Sequence, residues 1–341
     1  MKKIFGLLLA AALVGGLPAS SLAGGCGCVP VSLPTGDQFL AHNPGALRIG
    51  WSLMYSDTNH YFVGTERQDG PGQTEETVAP STLGLDNTLS LEYDLEHNLS
   101  LAVEIPIVHT EQAREFGGVS GTMEASGLGD VRALARYWFR NEPVGLSFWG
   151  SVGVRLPTGK SDRTFRAQND MIVTQDLAAQ DGTGNAAGIL ELGGSQFFGG
   201  RYGLSFQTRY IFTPSATTVP NFRYELTGNG EPMNSDSDAL TARVSLATPL
   251  GTNGGAMEDL SVRALFDLAW IPWDDLFGDT VGFRRAGMIL AAGPGLSYTP
   301  IQRLTFSAAV PLTLYRNVQR NGGNVQEWTF QFGVAFDSVG I

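Results

Sequence analysis

The sequence predicts an all-β fold: a transmembrane antiparallel β-barrel of twelve strands, with a short N-terminal segment that is either periplasmic or luminal. Three observations predict it. The chain opens with an export signal, in which Lys2 and Lys3 precede an apolar run from Ile4 to Leu17 and Ser21-Leu22-Ala23 offers small residues for cleavage after Ala23. Beyond it, apolar residues recur at every second position while the alternate positions carry charge near the strand centres, the pattern of a sheet that is apolar outside and wraps a polar lumen. No later segment has the roughly 18 consecutive apolar residues that a membrane helix needs, so a chain of this kind crosses a membrane with strands. The organisation implied is a signal peptide over 1–23, an N-terminal segment over 24–46 that either plugs the lumen or hangs free of it, and the barrel over 47–341.

The first strand is expected over 47–57, with Leu47, Ile49, Trp51, Leu53 and Tyr55 on one face. The second, 84–95, turns Leu89, Leu91, Tyr93 and Leu95 outward and Glu92 and Asp94 inward; Glu96-His97-Asn98 makes a tight turn into the third, 99–109, where Glu104 faces in. Strands four to seven, at 128–139, 144–155, 186–197 and 202–212, form the most regular stretch. Val131, Ala133, Ala135, Tyr137 and Phe139, then Val144, Leu146, Phe148, Val152 and Val154, then Tyr202, Leu204, Phe206, Tyr210 and Phe212 mark the outer face; Asp130, Arg132, Arg136, Arg155, Glu191 and Arg209 mark the inner one. Strand eight, 239–248, alternates Leu240, Ala242, Val244 and Leu246 with Arg243, and strand nine, 260–270, alternates Val262, Ala264, Phe266, Leu268 and Trp270 with Arg263 and Asp267. The last three are expected at 286–298, 303–314 and 326–336.

The connections supply an independent check. Those at 58–83, 110–127, 156–185, 213–238, 271–285 and 315–325 are long, and they alternate with short ones at 96–98, 140–143, 198–201 and 299–302, the stretch 251–259 being an extended member of the short class. Long extracellular loops opposite short periplasmic turns are the habit of bacterial barrels, and the count places both chain ends in the periplasm. Tyr55, Trp138, Phe139, Trp270, Tyr298 and Trp328, near strand ends, suit interfacial girdles.

Charge and cysteine content narrow the function classes. The chain has 22 Lys plus Arg against 33 Asp plus Glu, a formal charge of −11, which argues against a nucleic-acid partner. Lys160 is the only lysine beyond the signal, so the positive charge is arginine, the better residue for fixed, desolvated ion pairs. Cys26 and Cys28 stand in a GGCGC run, where a disulfide across one residue is strained and closes almost no loop. They are a tethered pair of little consequence for folding, a lipidation point at Cys26, or the attachment of a periplasmic partner at the N-terminus; two cysteines alone make no metal site.

No catalytic constellation emerges. Pro157-Thr158-Gly159-Lys160-Ser161 imitates a phosphate loop, but the glycine that motif needs falls on Val154 and no helix follows. There is no G-x-S-x-G elbow, and His42, His60, His97 and His109 all lie in the first third of the chain. The reading is therefore of a protein that is not an enzyme, with no cofactor and no metal. The lumen-lining set carries the chemistry instead: Glu92, Asp94, Glu104, Asp130 and Glu191 are placed to neutralise Arg132, Arg136 and Arg155, while Arg209, Arg243 and Arg263 form a positive run near Asp267, with Arg303 two strands further on. Such a wall either orients a solute that carries both charge and apolar surface, or pairs internally and braces a narrow barrel.

Several fragments carry a family resemblance. Gly127-Leu128-Gly129-Asp130 leading into Arg136-Tyr137, then Val154-Arg155-Leu156-Pro157-Thr158-Gly159, then Asp181-Gly182-Thr183-Gly184 come first; Gly293-Pro294-Gly295-Leu296-Ser297-Tyr298, Val310-Pro311-Leu312 and Tyr315-Arg316 follow before a closing aromatic strand. In order and spacing, over about residues 84–336, they resemble the outer-membrane channel family of the MetA pathway of phenol degradation, which is loosely similar to the long-chain fatty-acid channels. The chain departs from the common barrel ending on Phe, since it stops at Ile341 after Asp337-Ser338. The resemblance implies a barrel in the outer membrane of a Gram-negative bacterium, in contact with lipid and lipopolysaccharide, inserted by the barrel assembly machinery, and passing small hydrophobic or aromatic solutes passively. The alternative is a non-transporting barrel that anchors a partner or supports the envelope.

Overall fold

The computed structural model describes residues 41–338 apart from 59, 68–81, 117–118, 143–144, 167–169, 200, 216, 252–256, 258, 279, 285 and 302. The expected signal peptide, Cys26, Cys28 and most of the N-terminal segment lie outside the described residues. Twelve antiparallel walls follow one another in chain order: β1 (Leu47–Thr58), β2 (Thr82–Asp94), β3 (Leu99–Phe116), β4 (Val119–Leu128 and, after a break, Arg132–Asn141), β5 (Leu146–Arg155), β6 (Ala187–Phe198), β7 (Tyr202–Phe212), β8 (Ala239–Pro249), β9 (Leu260–Ile271), β10 (Gly287–Ile301), β11 (Leu304–Ala309 and, after a break, Leu312–Asn324) and β12 (Thr329–Asp337). Each pairs with the next, and β12 returns to β1 with Arg48 opposite Asp337 and Tyr55 opposite Phe330. The twelve walls thus close into a barrel, the condition for strands to cross a membrane, and the short strands Tyr61–Gly64 and Glu66–Arg67 extend the sheet beyond it.

The alternation read from the sequence is the one the barrel uses. Tyr137, Phe139, Val152, Val154, Tyr202, Leu204, Val244, Leu246, Phe266 and Leu314 are exposed on the outer face, while Glu104, Arg136, Ser151, Glu191, Arg209, Arg243 and Asp267 are buried between them on the inner one. Outward rings stack along the β4–β7 wall, with Phe139 to Phe148 at 5.4 Å and Phe148 to Phe206 at 6.2 Å between centroids. Trp138 departs from its expected place in a girdle. It points inward, fully buried, donating from Nε1 to Ser100 Oγ at 2.9 Å, because its even position shares the face of Arg136.

Two stretches expected as loops are strand. Thr110–Phe116 and Val119–Leu128 continue the β3–β4 hairpin, with Glu111 opposite Glu124. Their outward positions are polar or small, so the apolar face that identifies the lower strands is missing, although Thr110, Gln112, Met123 and Ala125 remain buried inside. The stretch 315–324 is likewise a polar and Gly-rich continuation of β11 that pairs with the short strand Tyr61–Gly64. The predicted turns hold: His97 and Asn98 both take φ near +61°, and Gly199 takes +57°.

Glycine serves one close approach in the lower wall. Gly193 on β6 stands directly opposite Trp149 on β5, and a Cβ there would lie 2.3 Å from the indole ring. The Arg136 guanidinium lies over the same indole, 3.9 Å from a ring centroid. Gly193→Val should therefore destabilise the barrel by about 1–3 kcal/mol through overpacking, read from urea unfolding in lipid. A change within 0.3 kcal/mol, roughly the scatter of distant surface sites, would mean that the indole swings away freely.

Candidate functional site: the lumen and its mouth

Strand register decides which inward side chains meet. One row around the wall reads Ser100, Arg136, Ser151, Glu191, Arg209 across β3 to β7, each opposite the next, and another reads Glu104, Arg132, Arg155 across β3 to β5. From these rows a continuous ionic network grows. Arg48 binds Glu92 at 2.8 Å and also Asp94; Glu92 binds Arg136 at 2.7 Å; Arg136 approaches Glu191 at 3.8 Å; Glu191 binds Arg209 at 2.5 Å; Arg209 binds Glu104 at 2.5 Å; and Glu104 binds Arg132 at 3.1 Å. Acids and arginines alternate along it. The Arg209 to Glu104 contact joins β7 to β3, four strands away around the wall, so it spans the lumen as a strut.

A second strut crosses the other half. Arg243 on β8 holds Asp267 on β9 with two hydrogen bonds, Nε to Oδ1 at 2.6 Å and Nη2 to Oδ2 at 2.9 Å, and Nη2 reaches Gln331 on β12 at 2.7 Å. Arg209 and Arg243 are therefore partners of acids and not members of a free positive run. The sequence could not reveal this, because their partners lie on distant strands or on the neighbour in register. Arg263 is 9% exposed on the inner face of β9. Arg303 is not a lumen residue: it is exposed in the turn between β10 and β11 with φ +96°, one step before the strand begins. Gln331, Ser245 and Arg48, like Ser100 and Ser151, are inner residues absent from the lumen set read from the sequence; their parity along the strands is the available signal.

At the end of the barrel with short turns, described residues 41–46 fold against the inner wall. His42 Nε2 lies 2.9 Å from the Leu95 carbonyl, Asn141 exchanges hydrogen bonds with the His42 backbone at 2.9 and 2.7 Å, and Asn43 N donates to Asp94 at 2.8 Å.

At the opposite end the long connections meet over the mouth, and the fragments singled out in the sequence converge there. Asp130, in the break of β4, accepts from Gly159 N at 3.1 Å, Thr183 N at 2.8 Å and Thr183 Oγ1 at 3.0 Å, while Thr158 Oγ1 donates to the Gly129 carbonyl at 2.8 Å. Gly159 and Gly182 pack backbone to backbone, where a Cβ on either would come within 2.8 Å of the other. The apparent phosphate loop is thus the anchor of the 156–185 insert. Residues 175–183 of that insert are buried, and a turn at Leu177–Ala179 places Ala179 against Met123 and Phe222, with Phe165 beside them. A second apolar cluster of Phe62, Ala269, Ile289, Val318 and Val325 lies at the same end. Asp236, in the 213–238 connection, binds Arg155; burial pushes its carboxyl above the ordinary range, against the pull of that guanidinium and a hydrogen bond from Thr183. Asp130→Ala should release the insert, because three donors lose their acceptor at a cost of about 1–3 kcal/mol each at most. Amide exchange over 175–183 should accelerate at least tenfold while the β6 and β7 amides stay protected; unchanged exchange would show that the apolar contacts hold the insert alone.

The segment 271–285 sends its apolar residues outward. Phe277 packs on Phe212 and Tyr210 at 5.1 and 6.1 Å between centroids, both on the outer face of β7, while Asp275 turns inward to Arg284 at 2.6 Å. Among the described residues no group of three or more His, Cys, Asp or Glu side chains is arranged to hold a metal.

No family model matches the chain, and no curated protein does. Among solved structures, an outer-membrane channel from Pseudomonas putida F1 superposes with a TM-score of 0.63 at 12% identity, over 89% of this chain and 98% of that one. The monoaromatic hydrocarbon channel CymD, at TM-score 0.45 and 12% identity over 96% of each chain, is too loose a match to bear on the fold. The same holds for the toluene transporter TodX of P. putida, at TM-score 0.44 and 11% identity over 96% of this chain and 97% of that one. The closed twelve-stranded barrel, its apolar exterior, its ionic interior and the first of these superpositions together give the chain the fold of an outer-membrane channel.

Proposed function

We propose that the chain is a passive channel in the outer membrane of a Gram-negative bacterium that admits small hydrophobic or aromatic solutes, after insertion by the barrel assembly machinery among lipid and lipopolysaccharide. The observation that carries this reading is the stacking of two environments along the barrel axis: apolar clusters around Phe62 and Met123 at the mouth, then a lumen crossed by the Glu104–Arg209 and Arg243–Gln331 struts. A solute with an apolar body finds a dry reception first, and the ordered charges then select against freely hydrated sugars and ions. The fragments around Asp130 and Pro294 add the resemblance to the phenol-degradation channels. The decisive experiment is influx into liposomes containing the refolded protein, comparing benzoate with sugars of similar size. Benzoate influx faster than sugar influx is expected. No influx of either, in protein shown to be folded and inserted, would end the channel reading and favour the second one, a non-transporting barrel that anchors a partner, to which the seating of residues 41–46 on the inner wall lends support.

A further inference from the structure

The segment between β9 and β10 reaches sideways along the outer rim. It leaves the wall after Ile271, and two strands away Phe277 lies on Phe212 and Tyr210 of β7, at 5.1 and 6.1 Å between centroids. Leu276 is 62% exposed, and Trp273 and Phe277 are each 51% exposed. The backbone beneath them is held fast. Asp238, one residue before β8 and wholly buried, accepts from Leu276 N at 2.9 Å, Phe277 N at 3.1 Å, Thr213 N at 3.2 Å and the Tyr210 hydroxyl. Its own N–H donates to Asp275 Oδ1 at 2.9 Å, and Asp275 in turn holds the buried Arg284. Gly278, at φ +86°, lets the bend lie against the end of β7, where a Cβ would stand 2.8 Å from the Thr213 carbonyl oxygen. Leu276 and Phe277 are therefore fixed in one outward orientation.

The height of the bend identifies what they meet. Below it, Leu190, Tyr210, Leu240, Trp270 and Met288 form one apolar row across β6 to β10, each opposite the next. The outward face of β7 runs from Tyr202 to Phe212. At the usual rise and tilt that length covers about 25 Å of membrane, the full height of a barrel's apolar band. Phe277, resting on Phe212, extends this band at its extracellular border. Trp273 on the same segment has the amphipathic ring that membrane interfaces favour. An exposed apolar group that is rigidly held and continuous with a lipid-facing wall calls for acyl chains as its partner.

We propose that Trp273, Leu276 and Phe277 form a membrane-docking surface that inserts among the acyl chains of the outer leaflet, with Asp238 as the residue that positions it. The surface needs only the barrel in its membrane and does not depend on what the lumen passes. Asp238 acts through the backbone: as a carboxylate it accepts from every donor around it, whereas an amide in its place would turn one of its own donors toward them.

The test uses the full-length chain with Cys26→Ser and Cys28→Ser, refolded into phosphatidylcholine vesicles at a low protein-to-lipid ratio. Leu276→Cys carries an NBD fluorophore, and Glu111→Cys, on the exposed face of the β3–β4 hairpin beyond the apolar band, carries the same label as a water-facing reference. Lipid spin-labelled near the headgroup end of its acyl chain should quench the label at position 276 at least twofold more than the one at 111, and iodide in the buffer should do the reverse. Equal or weaker spin-label quenching at 276 would overturn the proposal. With strong iodide quenching the surface would then stand in water; with neither quencher effective, protein would cover it, a second copy of the chain included. Asp238→Asn, in barrels that keep the heat-modifiable mobility of folded protein, should at least halve the spin-label quenching at 276 and leave the label at 111 unchanged. Undiminished quenching in that variant would leave the lipid contact standing and remove Asp238 from it.

Discussion

Replacing Arg209 with Met should lower the stability of the barrel by about 3–5 kcal/mol, the usual result of removing one partner from a buried ion pair. Arg209 is 3% exposed and holds Glu104 from one side of the lumen and Glu191 from the other, so the variant leaves two carboxylates facing each other without their shared counter-charge. The size of the effect comes from desolvation: an exposed pair such as Arg140 with Glu142 is worth at most about 1 kcal/mol by comparison. Urea unfolding in lipid vesicles, followed by tryptophan fluorescence, measures it. A second variant separates the strut from simple loss of packing. Adding Glu104→Gln to Arg209→Met should recover a good part of the loss, because the carboxylate that was stranded is now neutral. Strict additivity of the two changes would show that Arg209 and Glu104 do not depend on each other and would remove the strut from this account.

Leu192→Arg should cost about 2–4 kcal/mol of folding free energy in lipid, whereas Phe198→Arg should cost at most about 1 kcal/mol. Leu192 lies at the centre of β6 on the outer face, 48% exposed, between Gly150 on β5 and Thr208 on β7. Phe198 ends the same strand. An arginine at the first position has to bring its charge into hydrocarbon, while at the second it reaches the headgroups. Equal costs at both positions, by folding titrations into vesicles of one composition, would show that the outer face of β6 does not meet lipid in the orientation described.

The mouth connects these two themes. Asp130 is the hub on which three separate sequence fragments meet, and its three accepted hydrogen bonds explain why Gly159, Gly182 and Thr183 occur where they do. The second set of fragments has a parallel use at the break of β11. Val310 N donates to the Pro294 carbonyl at 3.0 Å, Thr329 N donates to the Pro311 carbonyl at 3.0 Å, and a Cβ on Gly293 would lie 2.1 Å from the Val310 carbonyl oxygen. Pro311 has no N–H for the ladder, so the wall is interrupted there and resumes at Leu312. Fragments that suggest a family by their order thus have a local physical explanation as the places where strands break and inserts dock.

The sequence by itself determined the class of fold, the number of walls, and the face to which almost every residue of the lower barrel belongs. Period two is a local property, and a lipid-facing position admits little besides apolar side chains, so Tyr137, Val152, Phe206 and Phe266 announce their orientation without any partner. The signal fades where lipid stops imposing it, and for this reason Thr110–Phe116, Val119–Leu128 and the polar half of β11 read as loop although they are strand. Trp138 reads as a girdle residue but lies inside, because an aromatic residue is welcome both at the interface and in a packed lumen. Which charges neutralise which was decided only by the tertiary structure. Glu104 and Arg209 are 105 residues apart and meet because a closed barrel brings β3 and β7 to opposite sides of one narrow lumen; Arg243 and Gln331, 88 residues apart, meet across β9 to β11 for the same reason. Closure is a global condition set by the register of all twelve walls, and no local pattern contains it.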